Sequence, residues 1–173
     1  MSQTSTDAHR TTTRFHCITL IVAVVAGLVT FGTVATMFSA SGMFLGWVAY
    51  SINSQSMRQG YANLASFLLG LAFGIGTTLV INQLSPSIGL AATGLAIFGV
   101  VVLVMCLRSL APINNPLAYF LGITSFFYSE LAPTAGSFAV LAAAGAIGAT
   151  GAALSGCCQA GLLRLRPPAV RSS

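Results

Sequence analysis

Long apolar runs separated by short polar connections dominate the chain from residue 15 onward. Their positions predict about six helical segments, at residues 15–38, 41–57, 61–80, 88–107, 116–130 and 136–163. All but the second and fifth runs reach the roughly 20 residues that a helix needs to cross a hydrocarbon core about 30 Å thick. The pattern therefore predicts an all-α membrane protein, a bundle of about six transmembrane segments of which two are short.

The two short segments have matching sequences and matching positions in the order long, short, long. If all segments cross, each half of the chain has an odd number of crossings, so the second half is inserted upside down relative to the first. This is the plan of a 3+3 inverted repeat, which is common among transporters and channels. The matching positions are Phe44, Leu45 and Gly46 with Phe120, Leu121 and Gly122, and Gly60 with Gly136.

Composition excludes a water-soluble domain. Of 173 residues, 55% are hydrophobic and only 5% are charged, whereas a typical soluble domain has about 25% charged residues. A lipid bilayer is the solvent that such a surface requires. The net charge of +5 comes from arginines that lie at the edges of apolar runs. They do not form a basic face with interleaved aromatic residues, so we expect no nucleic-acid partner.

Arginine placement predicts the topology. If all six segments cross, Arg14, Arg58, Arg108 and Arg164 lie on one side of the membrane, which the positive-inside rule identifies as cytoplasmic. If the two short segments are instead re-entrant, Arg58 and Arg108 lie outside, so the rule favours six crossings. Both termini are then cytoplasmic. Residues 1–14 are polar and predict a disordered tail, and residues 164–173 form a short C-terminal tail.

No combination of residues predicts an enzyme. Asp7 and Glu130 are the only acids, and both histidines lie near the N-terminal edge of the first run. Cys157 and Cys158 are adjacent, and no Cys-x-x-Cys or Cys/His spacing of a metal site occurs. We therefore predict no catalytic residues, no metal and no cofactor.

Polar and aromatic residues on the short segments are the candidates for lining a solute pathway. Helical spacing places the members of each set on one face. Aromatic walls with a few hydrogen-bonding groups are typical of small-molecule pockets. The competing interpretation is a belt of aromatic residues at the membrane interface, or for Glu130 an ordinary helix-end residue. The candidates are Trp47, Tyr50 and Asn53 on the second segment, and Phe120, Thr124, Phe127 and Glu130 on the fifth.

Glycines predict close helix packing. Gly70 and Gly74 have the GxxxG spacing, and Gly145 and Gly148 lie in a helix rich in alanine and glycine. In lipid, small residues let helix backbones approach closely, within one bundle or between the copies of a homo-oligomer.

The sequence resembles the YcdZ-like small bacterial inner-membrane proteins, a domain family of unknown function. The resemblance runs from residue 36 to residue 154 and implies a multi-pass protein of the bacterial inner membrane. A second likeness, at residues 114–117 and the helix that follows, is to one repeated segment of bacterial urea transporters, and it implies passage of a small neutral solute. The residues that carry the first resemblance are Phe44, Leu45, Gly46, Trp47, Val48, Ala49, Tyr50, Gly60, Gly70, Phe98, Pro116, Phe120, Gly122 and Phe127.

Together these features predict a channel or facilitator for a small uncharged solute. The alternative is a membrane protein that transports nothing and acts on a partner through its glycine-rich helix faces.

Overall fold

The structure is a computed structural model that describes the backbone of residues 3–164 and the side chains of residues 15–162. Every regular element within residues 3–164 is an α-helix, which confirms the predicted all-α class. The end of the predicted C-terminal tail, from residue 165, lies outside the described residues. The helices are α1 (Gln3–Ala35), α2 (Ala40–Ser51), α3 (Met57–Ile88), α4 (Ala91–Leu107), α5 (Pro116–Ser129) and α6 (Ala135–Arg164).

The helices differ in how much of a membrane they can cross. Among the described residues, three helical stretches are long and apolar enough to span one: Phe15–Ala35, Met57–Ile88 and Ala135–Leu162. The apolar helix α4 is shorter, with 17 residues. The 12 residues of α2 and the 14 of α5 correspond to lengths of about 18 and 21 Å at 1.5 Å per residue. Both are shorter than the hydrocarbon core.

Two helices extend further than the sequence predicts. α1 begins at Gln3, so residues 3–14 are helical although their composition predicts a disordered tail. Once the apolar part of a helix has formed, each added residue gains a hydrogen bond without a new nucleation cost. α3 includes the predicted turn at 82–87, with Pro86 inside the helix. Because Pro86 lies in the last turn, its missing N–H removes a bond only at the helix end, and the helix stops at Gly89, whose φ is +56°.

The two short helices begin and end with local signals. Ser39 caps α2 by accepting from the Gly42 amide, and Asn115 caps α5 by accepting from the Leu117 amide. α2 ends at Ser51, earlier than the predicted residue 57, because Ile52 is extended and Asn53 is left-handed with φ of 50°. α5 ends as predicted near residue 130.

α2 packs mainly on α6, with which it shares its most extensive interface. Glycines make this crossing possible. A Cβ added to Gly46 would overlap the Gly145 backbone, and one added to Gly148 would overlap the Met43 carbonyl oxygen. In lipid, where burial of apolar surface does not drive helices together, such close contact supplies the packing energy.

α5 packs mainly on α3 in the same manner. A Cβ at Gly122 would overlap the Phe67 carbonyl oxygen, and one at Gly70 would overlap the Tyr119 carbonyl oxygen. α1 lies along the outside of α6, and α4 along the outside of α3. Each short helix therefore packs on the long helix that ends the other half of the chain.

The centre of the bundle is filled with apolar side chains. α2 and α5 meet there, and α3 and α6 enclose them. The outer helices bury little, since only 6% of the apolar stretch of α1 is buried and α4 exposes large side chains such as Phe98. Those faces suit contact with lipid. The buried members of the central cluster are Ala49, Phe67, Leu71, Ala118, Phe126 and Leu141.

Candidate functional site

A crevice of about 780 Å³ opens at the end of the bundle where α2 joins α3 and where α6 ends. The end of α2 and the connection at residues 52–56 form one wall, and the last turns of α6 form the other. Hydroxyl, amide, thiol and small apolar groups line it, and none of the lining side chains carries a formal charge. The lining residues are Tyr50, Ser51, Ser54, Gln55, Ser56, Met57, Ala152, Ala153, Ser155, Gly156, Cys157, Gln159 and Ala160.

Tyr50 lies at the inner end of this crevice. Its ring occupies the space that a side chain at Gly60 would need, so the ring lies directly on the α3 backbone. Tyr61 packs edge-on against it with the ring centroids 5.4 Å apart. The ring also packs against Ala149 and Ala152 of α6. From there the crevice continues along α6 to Ala160.

The α6 wall combines small residues with hydrogen-bonding groups. Ser155 Oγ donates to the Ala152 carbonyl at 2.8 Å, which leaves the hydroxyl oxygen free to accept. The amide of Gln159 lies one turn further along. The thiol of Cys157 is exposed and unpaired. This wall can therefore donate hydrogen bonds to a small neutral molecule and accept them from it.

The crevice wall is held by a buried amide network. Asn63, on α3, donates from Nδ2 to the Ile52 carbonyl at 2.7 Å, and Asn115 donates from its Nδ2 to Asn63 Oδ1 at 3.1 Å. Asn63 is only 3% exposed. The network ties the start of the 52–56 connection to α3 and to the N-terminus of α5, and a satisfied buried network of this kind makes local structure rigid.

At the other end of the bundle, where α5 joins α6, Phe126 packs against α3, and Thr77 lines the groove between α3 and α4. A Cβ at Gly74 would lie 3.1 Å from the Phe126 Cβ and 3.3 Å from its ring. Phe126 and Thr77 are 2% and 5% exposed. Thr77 Oγ1 donates to the Phe73 carbonyl of its own helix at 2.7 Å.

Two buried hydroxyls on α5, Tyr119 Oη and Ser125 Oγ, make no hydrogen bond of good geometry within the described residues. The Tyr119 ring stacks on Phe73 with centroids 5.9 Å apart and planes 10° apart. A buried hydroxyl without a partner costs about 1–3 kcal/mol.

The family model described as "Protein of unknown function (DUF1097)" matches residues 19–160. The chain belongs to the DUF1097 family. The match extends from the apolar part of α1 almost to the end of α6, so it includes both crossings and the crevice. No curated protein and no solved structure matches the chain significantly. The family description assigns no activity, so the function of this DUF1097 protein must be argued from its geometry.

The candidates on α2 lie in three environments. Tyr50 lines the crevice. Trp47 is half-buried, and its ring fills the space beside Gly151 on α6. Asn53 is exposed and helps to end α2 with its left-handed backbone, a conformation that asparagine adopts more readily than most residues.

The candidates on α5 face away from the interior. Thr124, Phe127 and Glu130 are exposed and Phe120 is half-buried. Glu130 caps α5 with φ of 53°. The structure does not bring these four residues to the crevice. The buried face of α5 instead contains Tyr119, Gly122 and Phe126.

Sequence reasoning missed the buried face of α5 and the amide network. The signal for that face was Gly122, since a glycine in a short membrane helix indicates the side on which another backbone approaches. Residues three before and four after it, Tyr119 and Phe126, share that side.

The predicted packing glycines all lie in helix interfaces of the DUF1097 bundle. Gly70 and Gly74 face α5, Gly148 faces α2, and Gly145 lies between the Gly46 backbone and the Phe67 ring.

The predicted topology anchors Arg58 and Arg108 are exposed. Arg58, Pro112 and Asn114 line one small pocket, so both connections that carry these arginines are at the crevice end of the bundle. The side chains of Arg14 and Arg164 lie outside the described part. Within the described part of the chain, no group of three or more His, Cys, Asp or Glu side chains comes together to hold a metal.

Proposed function

We propose that this DUF1097 protein is a membrane facilitator that admits a small uncharged solute through the crevice between α2 and α6. The observation that carries the proposal is the lining, which has hydrogen-bonding groups on both walls and no formally charged side chain. A charged solute at membrane depth usually requires a charged partner or a helix end. The lining therefore favours a neutral solute such as an amide or a polyol, and the likeness to a urea transporter segment makes urea a first probe.

Two constant offsets between the halves of the chain support an inverted repeat. α2 begins at Ala40 and α5 at Pro116, which is 76 positions later. α3 begins at Met57 and α6 at Ala135, which is 78 positions later. The capping side chains obey the same offsets. Ser39 and Asn115 cap α2 and α5, while the hydroxyls of Ser56 and Thr134 accept from the amides of Gln59 and Ser137 at the starts of α3 and α6.

The close backbone contacts obey these offsets as well. Met43 meets Gly148 in one crossing, and Tyr119 meets Gly70 in the other. Gly46 meets Gly145, and Gly122 meets Phe67. The offset between α3 and α6 pairs Gly60 with Phe138 rather than with Gly136, so the sequence match at those two glycines is not a structural one.

The arginine positions support a cytoplasmic location for the crevice. Arg58 and Arg108 lie at the crevice end, and the last turns of α6 lie there too, as six crossings require. By the positive-inside rule, the crevice then opens to the cytoplasm of a bacterium whose inner membrane contains the protein.

Solute flux through reconstituted vesicles tests the function. Vesicles that contain the purified protein should swell faster than empty vesicles in iso-osmotic urea, acetamide or glycerol, as measured by light scattering. If vesicles with correctly inserted protein swell no faster than empty vesicles in any of the three solutes, the proposal is contradicted.

The native cysteines allow a test of where the pathway lies. Cys157 lines the crevice, and the neighbouring Cys158 is not among its lining residues. In proteins that keep only one cysteine, a bulky thiol reagent should reduce flux severalfold when it reacts with Cys157 and leave flux unchanged when it reacts with Cys158. An equal effect at both positions would argue for a pathway elsewhere.

The alternative function, a partner protein that transports nothing, has support from a groove on the lipid side. The groove between α3 and α4 has a volume of about 540 Å³. Gly76 and Gly99 line it, and nothing lies within 4 Å of a Cβ at either position. Leucine at both positions should release a stoichiometric membrane partner, or a second copy, that co-purifies with the parent. Unchanged association would count against this function.

A further inference from the structure

Three serine hydroxyls in the crevice donate their only proton to a backbone carbonyl. A carbonyl oxygen has no proton, so the hydroxyl must be the donor in each pair. The hydroxyl oxygen keeps its lone pairs, so it can accept a hydrogen bond from a solute but cannot donate one. The pairs are Ser51 with the Trp47 carbonyl at 2.9 Å, Ser54 with the Ser56 carbonyl at 3.2 Å and Ser155 with the Ala152 carbonyl at 2.8 Å.

These acceptors lie on both sides of the crevice. Ser51 and Ser54 belong to the wall at the end of α2, and Ser155 belongs to the α6 wall. Gln55 and Gln159 add one carboxamide to each wall, and a carboxamide accepts through its oxygen and donates through its nitrogen. Acceptors are therefore present on both walls. The remaining side-chain donors in the lining are the hydroxyls of Tyr50 and Ser56 and the weak thiol donor of Cys157.

The balance of donors and acceptors in a solute decides how well this lining can replace the water around it. A solute that enters the crevice loses hydrogen bonds to water, and each polar group that finds no new partner costs free energy. A polyol brings one acceptor oxygen for every O–H donor, so it needs as many donors from the protein as acceptors. Urea and primary amides bring two or more N–H donors for a single carbonyl oxygen. An acceptor-rich lining therefore suits an amide better than a polyol.

We propose that the crevice selects urea and primary amides over polyols and over N-alkylated amides. The hydroxyl oxygens of Ser51, Ser54 and Ser155 accept from the N–H groups of the solute, and the carboxamides of Gln55 and Gln159 donate to its carbonyl. The proposal rests on the facilitator function, and it adds the chemical class of the solute and the residues that recognise it.

Pairs of isomeric amides test this selection at constant size. Propionamide and N-methylacetamide have the same atoms, but the methylated nitrogen has lost an N–H. Butyramide and N,N-dimethylacetamide form a second pair, in which both N–H groups are lost. After subtraction of the rate in empty vesicles, swelling of vesicles that contain the full-length protein should be roughly two- to tenfold slower for each N–H removed, the range that one hydrogen bond contributes. Swelling in glycerol should be slower than in urea.

Removal of one hydroxyl should reduce this preference without unfolding the protein. Ser155→Ala removes an acceptor that is bonded to its own helix, so the ratio of the propionamide rate to the N-methylacetamide rate should fall toward one. Ser51→Ala should do the same from the opposite wall. Ser85→Ala is the matched control and should leave the ratio unchanged, because Ser85 Oγ donates to the Ile81 carbonyl at 2.7 Å in the same way but does not line the crevice.

The outcomes separate the selection of amides from the facilitator function. Equal protein-dependent rates for the two isomers of each pair, a ratio that neither Ser155→Ala nor Ser51→Ala changes, or swelling in glycerol as fast as in urea would overturn the selection and leave the facilitator standing. No protein-dependent swelling in any of these solutes would reject the facilitator and this proposal together.

Discussion

The crossing of α2 on α6 and the crossing of α5 on α3 reach the same backbone approach with different side chains. Glycines at equivalent positions set the approach in both, as Gly46 and Gly148 do in one and Gly122 and Gly70 do in the other. The α3–α5 crossing adds a buried amide network and a stacked aromatic pair, whereas α6 has alanine and glycine at its crossing and places its hydrogen-bonding groups in the crevice beyond it. The two halves share the glycines that build the fold. They differ in the polar and aromatic side chains around those glycines.

The largest loss of stability should come from substituting the glycines that both crossings share. Gly148→Leu and Gly70→Leu each place a side chain against a backbone carbonyl that cannot move aside. Overpacking usually costs about 1–3 kcal/mol, and more where backbone must shift. We expect both variants to lose the monodisperse peak on gel filtration in mild detergent. Gly99→Leu, which enters open space, should keep it. Loss in only one crossing would show that the halves are not built alike.

An intermediate effect should come from the amide network that only one crossing has. Asn63→Leu leaves the Ile52 carbonyl and the Asn115 amide without their partner. The cost of about 1–3 kcal/mol should lower the thermal unfolding midpoint by several degrees, at roughly 2–4 °C per kcal/mol. The control is Leu141→Met at the equivalent position of α6, which conserves volume and should change the midpoint little. A midpoint unaffected by Asn63→Leu would mean that the network does not hold the crevice wall.

The smallest effect should be a gain in stability. Ser125→Ala makes α5 like α2 at its equivalent position, Ala49, and removes a hydroxyl that has no partner. We expect the unfolding midpoint to rise by the equivalent of about 1 kcal/mol. Thr124→Ala, on the exposed face beside it, should stay within about 0.5 kcal/mol of the parent. A fall for Ser125→Ala would reveal a bound partner for that hydroxyl.

Hydropathy predicts that the helices exist, but it does not predict where each of them begins and ends. The short fifth helix was predicted at residues 116–130 and observed at Pro116–Ser129, because Asn115 and Pro116 are local start signals. Pro86 predicts a turn because proline lacks the N–H that a helix uses, whereas α3 continues through it to Ile88. The end of α2 depends on Ile52, whose carbonyl is fixed by Asn63, a contact that a local pattern cannot reveal.

The site was harder to predict than the fold. Tyr50 lines the crevice, but the facing wall comes from residues 152–160, which belong to a helix whose alanines and glycines predict packing rather than a site. On α5, the spacing of aromatic residues predicts that the face with Phe120, Thr124 and Phe127 is the important one. The face that packs against another helix is instead the one that contains the glycine. Which face is buried is a property of two helices together, so one helix alone does not determine it.

The exchange of short helices between the halves has a consequence for biosynthesis. α5 emerges from the ribosome after its partner α3 and can pack at once. α2 must wait for α6, and until then its Gly46 surface faces lipid or another protein. Since domains tend to fold from the N-terminus as they are synthesised, the first half of this chain remains incomplete until α6 has been made. A chain that stops before Ala135 would therefore present an unpaired glycine surface that membrane quality control can recognise.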